Sequence, residues 1–105
     1  MSEPTREEVD GMPNPVVLEF GASWCPHCQA IRATTATLLA RHPRVRHVAV
    51  EDGRGKPLGR SFRVELWPTL VFMRDGGVVR LAVRPPVEVI ADGFSALSRR
   101  TPATR

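Results

Sequence analysis

The only two cysteines in the chain, Cys25 and Cys28, stand two residues apart in the run Trp24-Cys25-Pro26-His27-Cys28. Pro26 suits the first position of a helix, and neither Gly nor Pro interrupts His27 to Arg41. Cys25 therefore stands where a helix begins, beside roughly half a positive charge and several unpaired N–H groups. A thiolate placed there is stabilised, which lowers the thiol pKa and makes the first cysteine a nucleophile. Cys28 lies one turn further in, more buried, and two-residue spacing brings the sulfurs into bonding reach. Taken alone, such a pair could exchange disulfides, bind a metal or be accidental.

Two thiols cannot form the disulfide framework of a small secreted domain, nor supply four zinc ligands unaided. His27, His42 and His47 could complete a Cys2His2 set. However, the H-x4-H spacing of His42 and His47 begins fourteen residues after Cys28 and encloses Pro43. We read no metal site and no bound cofactor.

The 105 residues suffice for one globular domain and not for two ordinary ones. With 42% apolar and 25% charged residues the composition is globular, which argues against disorder and coiled coil. No apolar run approaches the roughly 20 residues of a membrane span. The first fifteen residues carry five charges and no apolar stretch of the kind a signal peptide needs. The expectation is a cytoplasmic protein, or a periplasmic one if a signal peptide has been removed. The formal net charge is +4, and fourteen of the fifteen basic residues are Arg. They are spread from Arg6 to Arg105 without a dense cluster or interleaved aromatics, so neither nucleic acid nor a membrane is expected as partner.

The elements that must position the cysteines follow from patterning. Thr5-Arg6-Glu7-Glu8 reads as a capping box opening a short helix that ends near Pro13. Val16 to Phe20 reads as a buried strand. The cysteine helix runs to Arg41, with Cys28, Ile31, Thr35 and Leu38 on one face and Pro43 as its stop. Val45 to Val50 suits a second strand, Pro57 to Phe62 a helical turn, and Leu70 to Met73 a third strand. Asp75-Gly76 signals a hairpin into a fourth strand, Val78 to Val83. Val87, Ile90, Phe94 and Leu97 form the inner stripe of a last helix, which Gly93 weakens by about 1 kcal/mol relative to Ala. The tail after Arg99 is expected to fray. A β-α-β unit with right-handed crossover followed by an antiparallel hairpin requires a mixed sheet with helices on both faces.

From Val16 to Leu97 the sequence resembles the thioredoxin family. The resemblance rests on Val17-Leu18-Glu19-Phe20, Trp24-Cys25-Pro26-His27-Cys28, Trp67-Pro68-Thr69-Leu70, the Asp75-Gly76 turn and the apolar last helix. It implies an α/β thioredoxin-like domain whose core spans about 16–98, with thiol–disulfide exchange on protein clients. It also implies a cis peptide bond before Pro68, facing the cysteines. A Pro there lacks an N–H, and the residue before it can offer its backbone to a bound peptide strand.

The departures carry expectations of their own. Thioredoxins have Gly-Pro between the cysteines, whereas Pro26-His27 is the dipeptide of periplasmic disulfide oxidases. Cys28 to Trp67 leaves 38 intervening residues, too few for the helical insertion of those oxidases. His27 can stabilise the Cys25 thiolate, which favours the reduced form and makes the disulfide more oxidising; otherwise it is a solvated loop side chain. Glu19 stands six residues before Cys25, where thioredoxins have a buried Asp that relays protons. A carboxyl in this apolar run is expected to have a raised pKa and to serve as general base toward Cys28, unless it faces solvent. The Lys that often accompanies that acid would fall near Ala49 and is missing. The usual first strand has no counterpart, leaving a four-stranded sheet. Trp67 replaces an aliphatic residue, and Arg84 falls where a Gly lets the client approach.

The expected activity is thus a protein thiol–disulfide oxidoreductase with Cys25, Cys28 and Glu19 as catalytic residues. Pro26 and His27 would tune the site, and Trp24, Trp67, Pro68 and Arg84 would line the client groove. Expected partners are disulfide-bearing clients and, if the direction is reduction, a flavoprotein reductase; a monomer is expected. The rival reading is a binding module or assembly chaperone that uses the same fold without turnover.

Overall fold

The computed structural model describes residues 3–12 and 15–98. Thr5 and Glu8 cap each other reciprocally, with Thr5 Oγ1 accepting from the Glu8 N–H and Glu8 Oε1 accepting from the Thr5 N–H. The helix they open, α1 (Arg6–Asp10), is shorter than expected because Gly11 already caps it. Pro13 lies outside the described residues. The chain continues as β1 (Val16–Gly21), α2 (Pro26–Arg41), β2 (Arg46–Glu51), α3 (Pro57–Ser61), β3 (Thr69–Arg74), β4 (Gly77–Val83) and α4 (Val87–Ser98). The expected fraying tail also lies outside the described residues.

The sheet order is β2-β1-β3-β4. β1 pairs with β2 in parallel and with β3 antiparallel, and β3 pairs antiparallel with β4. The sheet is mixed because a helical crossover joins the first pair while a tight turn joins the last. In that turn Asp75 and Gly76 both adopt left-handed backbone, φ 52° and 82°, which matches the twist of the strands they connect.

Side-chain alternation along β1 divides the core in two. Val16, Leu18 and Phe20 join Val9, Leu58, Phe62, Val71 and Met73 on the face of α1 and α3. Val17 joins Leu70, Phe72, Ile90, Phe94 and Leu97 on the other face, with Ile31 and Leu38 of α2 packed against them. Glu19 shares the parity of Val17, so it lies on the face that α2 covers. Arg74 donates from Nη2 to the carbonyls of Ala96 and Leu97, fastening the end of β3 to the last turn of α4.

Two expectations about α4 need correction. Val87 does not belong to the inner stripe; it is 59% exposed at the helix start, and Ile90, Phe94 and Leu97 carry the burial. Gly93 is no mere weak point, because a Cβ there would stand 2.4 Å from Phe72 Cζ. The missing side chain is what lets α4 lie against β3. No helix among the described residues is long and apolar enough to cross a membrane.

Candidate active site

β1 ends at Gly21, and the loop Ala22–Trp24 delivers Cys25 to the N-cap of α2. The loop is pinned on both sides. Ser23 N–H donates to the Glu51 carboxylate at 3.2 and 3.3 Å, and Gln29 Nε2 donates to Ser23 O at 3.0 Å. Cys25 Sγ accepts from the Cys28 N–H at 3.2 Å, the bond by which an N-cap side chain satisfies a free helix donor. Both thiols are reduced and nearly buried.

Their environments drive the two thiols apart. At Cys25 desolvation, the largest single influence, works against the thiolate. Hydrogen bonds from the Cys28 thiol, the Cys28 N–H and the His27 N–H, with the Arg84 charge, outweigh it and lower the pKa from the ordinary 9.0. Cys28 is pushed up to about 11, by desolvation first, then by its hydrogen bond to Cys25 and the negative charges of Cys25 and Glu19. Gly21 makes room for the inner sulfur, since a Cβ there would stand 2.6 Å from Cys28 Sγ.

The loop before β3 closes the other side. The Trp67–Pro68 peptide is cis. Trp67 is half-buried against Ala22, Cys25 and Cys28, and its Nε1 donates to Asp52 Oδ2 at 2.8 Å. Trp24 meets it edge-on, with ring centroids 5.6 Å apart, and is itself 69% exposed. Arg84 takes left-handed backbone, φ 47°, at the position where the resemblance implies Gly. Its N–H donates to Pro68 O and its Nε to Trp67 O, each at 2.8 Å. The carbonyl that precedes the cis-proline is therefore already engaged. Pro26 and His27 are exposed at the rim, and the contribution of His27 to the Cys25 thiolate comes from its backbone N–H.

Behind the cysteines, Glu19 borders a cavity of about 450 Å³ together with Cys28, Thr35, Arg32, His47 and Glu51. Its Oε1 lies 2.8 Å from His47 Nε2 on β2. Only 12% of the Glu19 side chain is exposed, so the carboxyl is neither sealed in the core nor turned to open solvent. His42 is occupied elsewhere, bonding Ser98 Oγ at 2.8 Å and packing on Phe94. Among the described residues no group of three or more His, Cys, Asp and Glu is placed to hold a metal ion.

A family model for thioredoxin matches residues 3–89. The chain belongs to the thioredoxin family. Among solved structures it resembles thioredoxin 2 from Pseudomonas aeruginosa PAO1 in its reduced form. That match has a TM-score of 0.80 and 46% identity, covering 92% of each chain. Thioredoxin H5 of Arabidopsis thaliana is 31% identical over 64 residues, 61% of this chain and 54% of that protein. Protein disulfide-isomerase A2 of Pongo abelii is 42% identical over 65 residues, 58% of this chain and 12% of that protein. The chain thus spans about half the length of the first of these relatives and a small part of the second.

In this thioredoxin-type domain the fold brings Cys25, Cys28, Trp67, Pro68 and Arg84 together at one end of the sheet, with Glu19 behind. Three contributors escaped the sequence reading: Asp52, which anchors Trp67; Gly21, which seats Cys28; and His47, weighed there only as a metal ligand, which bonds Glu19. The signal for His47 was available. It stands two residues before Ala49, on the same side of the strand, once β1 and β2 are paired in parallel with Glu19 opposite Ala49.

Proposed function

We propose that the protein is a thiol–disulfide oxidoreductase acting on protein clients in the cytoplasm, in which Cys25 attacks and Cys28 resolves. The observation that carries this reading is the placement of the two thiols, Cys25 at the N-cap of α2 with its Sγ accepting from the Cys28 N–H at 3.2 Å and Cys28 buried one turn in, which displaces their pKa values in opposite directions. The low one ionises first and attacks a client disulfide, giving a mixed disulfide at Cys25. The high one keeps its proton until that bond has formed. Once Cys25 is no longer a thiolate, two of the influences that hold Cys28 up disappear, namely its hydrogen bond to Cys25 and the Cys25 charge. Glu19 then accepts the Cys28 proton as general base, and the Cys28 sulfur displaces the client thiolate.

Trp24, Trp67, Pro68 and Arg84 form the client groove, with Pro26 and His27 at its rim tuning the thiolate. The domain needs no bound cofactor for this exchange. In the reducing direction a flavoprotein reductase restores the dithiol, and the protein works as a monomer. The test is reduction of insulin disulfides by the wild type, Cys25→Ser and Cys28→Ser. Cys25→Ser abolishes turnover, and Cys28→Ser accumulates a mixed disulfide isolable with the client. Turnover that survives Cys25→Ser overturns the assignment.

A further inference from the structure

Glu19 and His47 sit on adjacent parallel strands, with Val17 opposite His47 and Glu19 opposite Ala49. Alternation sends both side chains to the face covered by α2, where they meet at 2.8 Å. They line one cavity with Cys28, and exposure rises outward, from 12% of the Glu19 side chain to 31% of the His47 side chain. From inside to outside the sequence of groups is thiol, carboxyl, imidazole, water.

We propose that His47 is a positioning and proton-relaying residue for client release, holding the Glu19 carboxyl toward Cys28 and passing on the proton it collects. The proposal rests on Glu19 acting as base. In the mixed disulfide the Cys28 thiol gives its proton to the Glu19 carboxylate, and its sulfur attacks Cys25 Sγ. The bond between Cys25 and the client sulfur breaks, the electron pair leaves with the client, and the Cys25–Cys28 disulfide forms. The two electrons come from the cysteine pair, so no other reductant enters. After water has moved the imidazole proton from Nε2 to Nδ1, the protonated Glu19 donates its O–H to His47 Nε2, and the imidazolium loses its Nδ1 proton to water, which restores the Nε2–H that holds the carboxylate.

The groups that share this cavity set the direction of the pH effect. They are Cys28 and Arg32 from α2, Glu19 from β1, and Glu51 from β2. Glu51 is engaged by the Ser23 N–H, which leaves Glu19 as the carboxylate bonded to His47. An imidazolium already present before release fixes Glu19 as an ion-paired carboxylate, a poorer base, and can take no second proton. Release therefore slows once acidification has protonated His47 beforehand.

Stopped-flow reaction of the reduced full chain with an aromatic disulfide that frees a coloured thiolate separates the two steps. The first release depends on reagent concentration and reports Cys25, whereas the second does not and reports resolution by Cys28. His47→Gln keeps a hydrogen-bond donor for Glu19 but cannot carry the proton. It should slow the second phase roughly tenfold, below the 10²–10⁴ of a direct acid–base group, and flatten its pH profile. Glu19→Gln should slow the same phase, and the double variant should be no slower than Glu19→Gln alone. Imidazole added to His47→Ala should restore the second phase. A second phase and pH profile unchanged in His47→Gln, with Glu19→Gln slow, overturns the relay and leaves Glu19 as base. An unchanged second phase in Glu19→Gln overturns both.

Discussion

Cys25 and Cys28 carry the same side chain at the start of the same helix, yet N–H donors and a nearby guanidinium together outweigh burial at the first, whereas burial prevails at the second. That difference predicts a simple chemical signature. The rate of alkylation by iodoacetamide in the reduced protein should rise with pH through one inflection below 9.0, belonging to Cys25. Cys28 should stay unmodified until the pH approaches about 11, because only the thiolate reacts. In Cys25→Ser the low inflection disappears, and the inflection of Cys28 moves down without reaching that of Cys25, since desolvation persists. Mass mapping of the modified peptide at each pH checks the order, and Cys28 reacting ahead of Cys25 would reverse the roles. At this scale the reactive pair was legible in the sequence, because helix-start chemistry needs only local spacing. His47 becomes legible only once β1 and β2 are paired in register, because its contact with Glu19 spans 28 residues.

Elements were legible where punctuation or period is local, and misread where a neighbouring element decides. The capping box, the Pro26 start and the Asp75-Gly76 turn all announce themselves within a few residues. Gly93 does not. By helix propensity alone Gly93→Ala should stabilise α4 by about 1 kcal/mol. The Phe72 ring fills the space a methyl would need, with three of its carbons between 2.4 and 2.7 Å from the site. Phe72 is itself fully buried and packs edge-on against Phe94, at 5.5 Å between centroids, so it has little room to yield. Overpacking a filled core costs about 1–3 kcal/mol, enough to offset the gain in propensity. Gly93→Ala should therefore lower the urea midpoint, with the slope of the transition unchanged. A raised midpoint would mean that α4 lifts from β3 without penalty. Val87 was misplaced too: its spacing fits the stripe, but at the first residue of α4 its side chain is left exposed.

At the scale of the whole molecule, four separated stretches of chain converge on the reactive thiol. They are the start of α2, the Asp52 region, the loop before β3 and the junction from β4 to α4. The sequence resemblance brought the first, third and fourth together; it took the fold to show that Asp52 fixes Trp67 and that Arg84 is tied to the same tryptophan's carbonyl. In the proposed groove a client laid across Trp24 and Trp67 would meet an anchored indole, an exposed one and a guanidinium in place of open backbone. Because the Arg84 charge favours the Cys25 thiolate, it also favours an acidic segment beside the client cysteine. Matched acidic and basic disulfide peptides should be reduced at rates differing roughly two- to fivefold, the equivalent of an exposed ion pair of about 0.5–1 kcal/mol. The difference should shrink as salt shortens the screening length to about 10 Å at 0.1 M and below that at higher salt. Arg84→Gly should remove the preference and, in the same protein, move the Cys25 alkylation inflection upward. It also frees the Trp67 carbonyl for the client main chain, so both peptides should gain in the variant, the basic one more. Equal rates for the two peptides with the wild type would remove charge from client choice and leave the two indoles as a purely apolar platform.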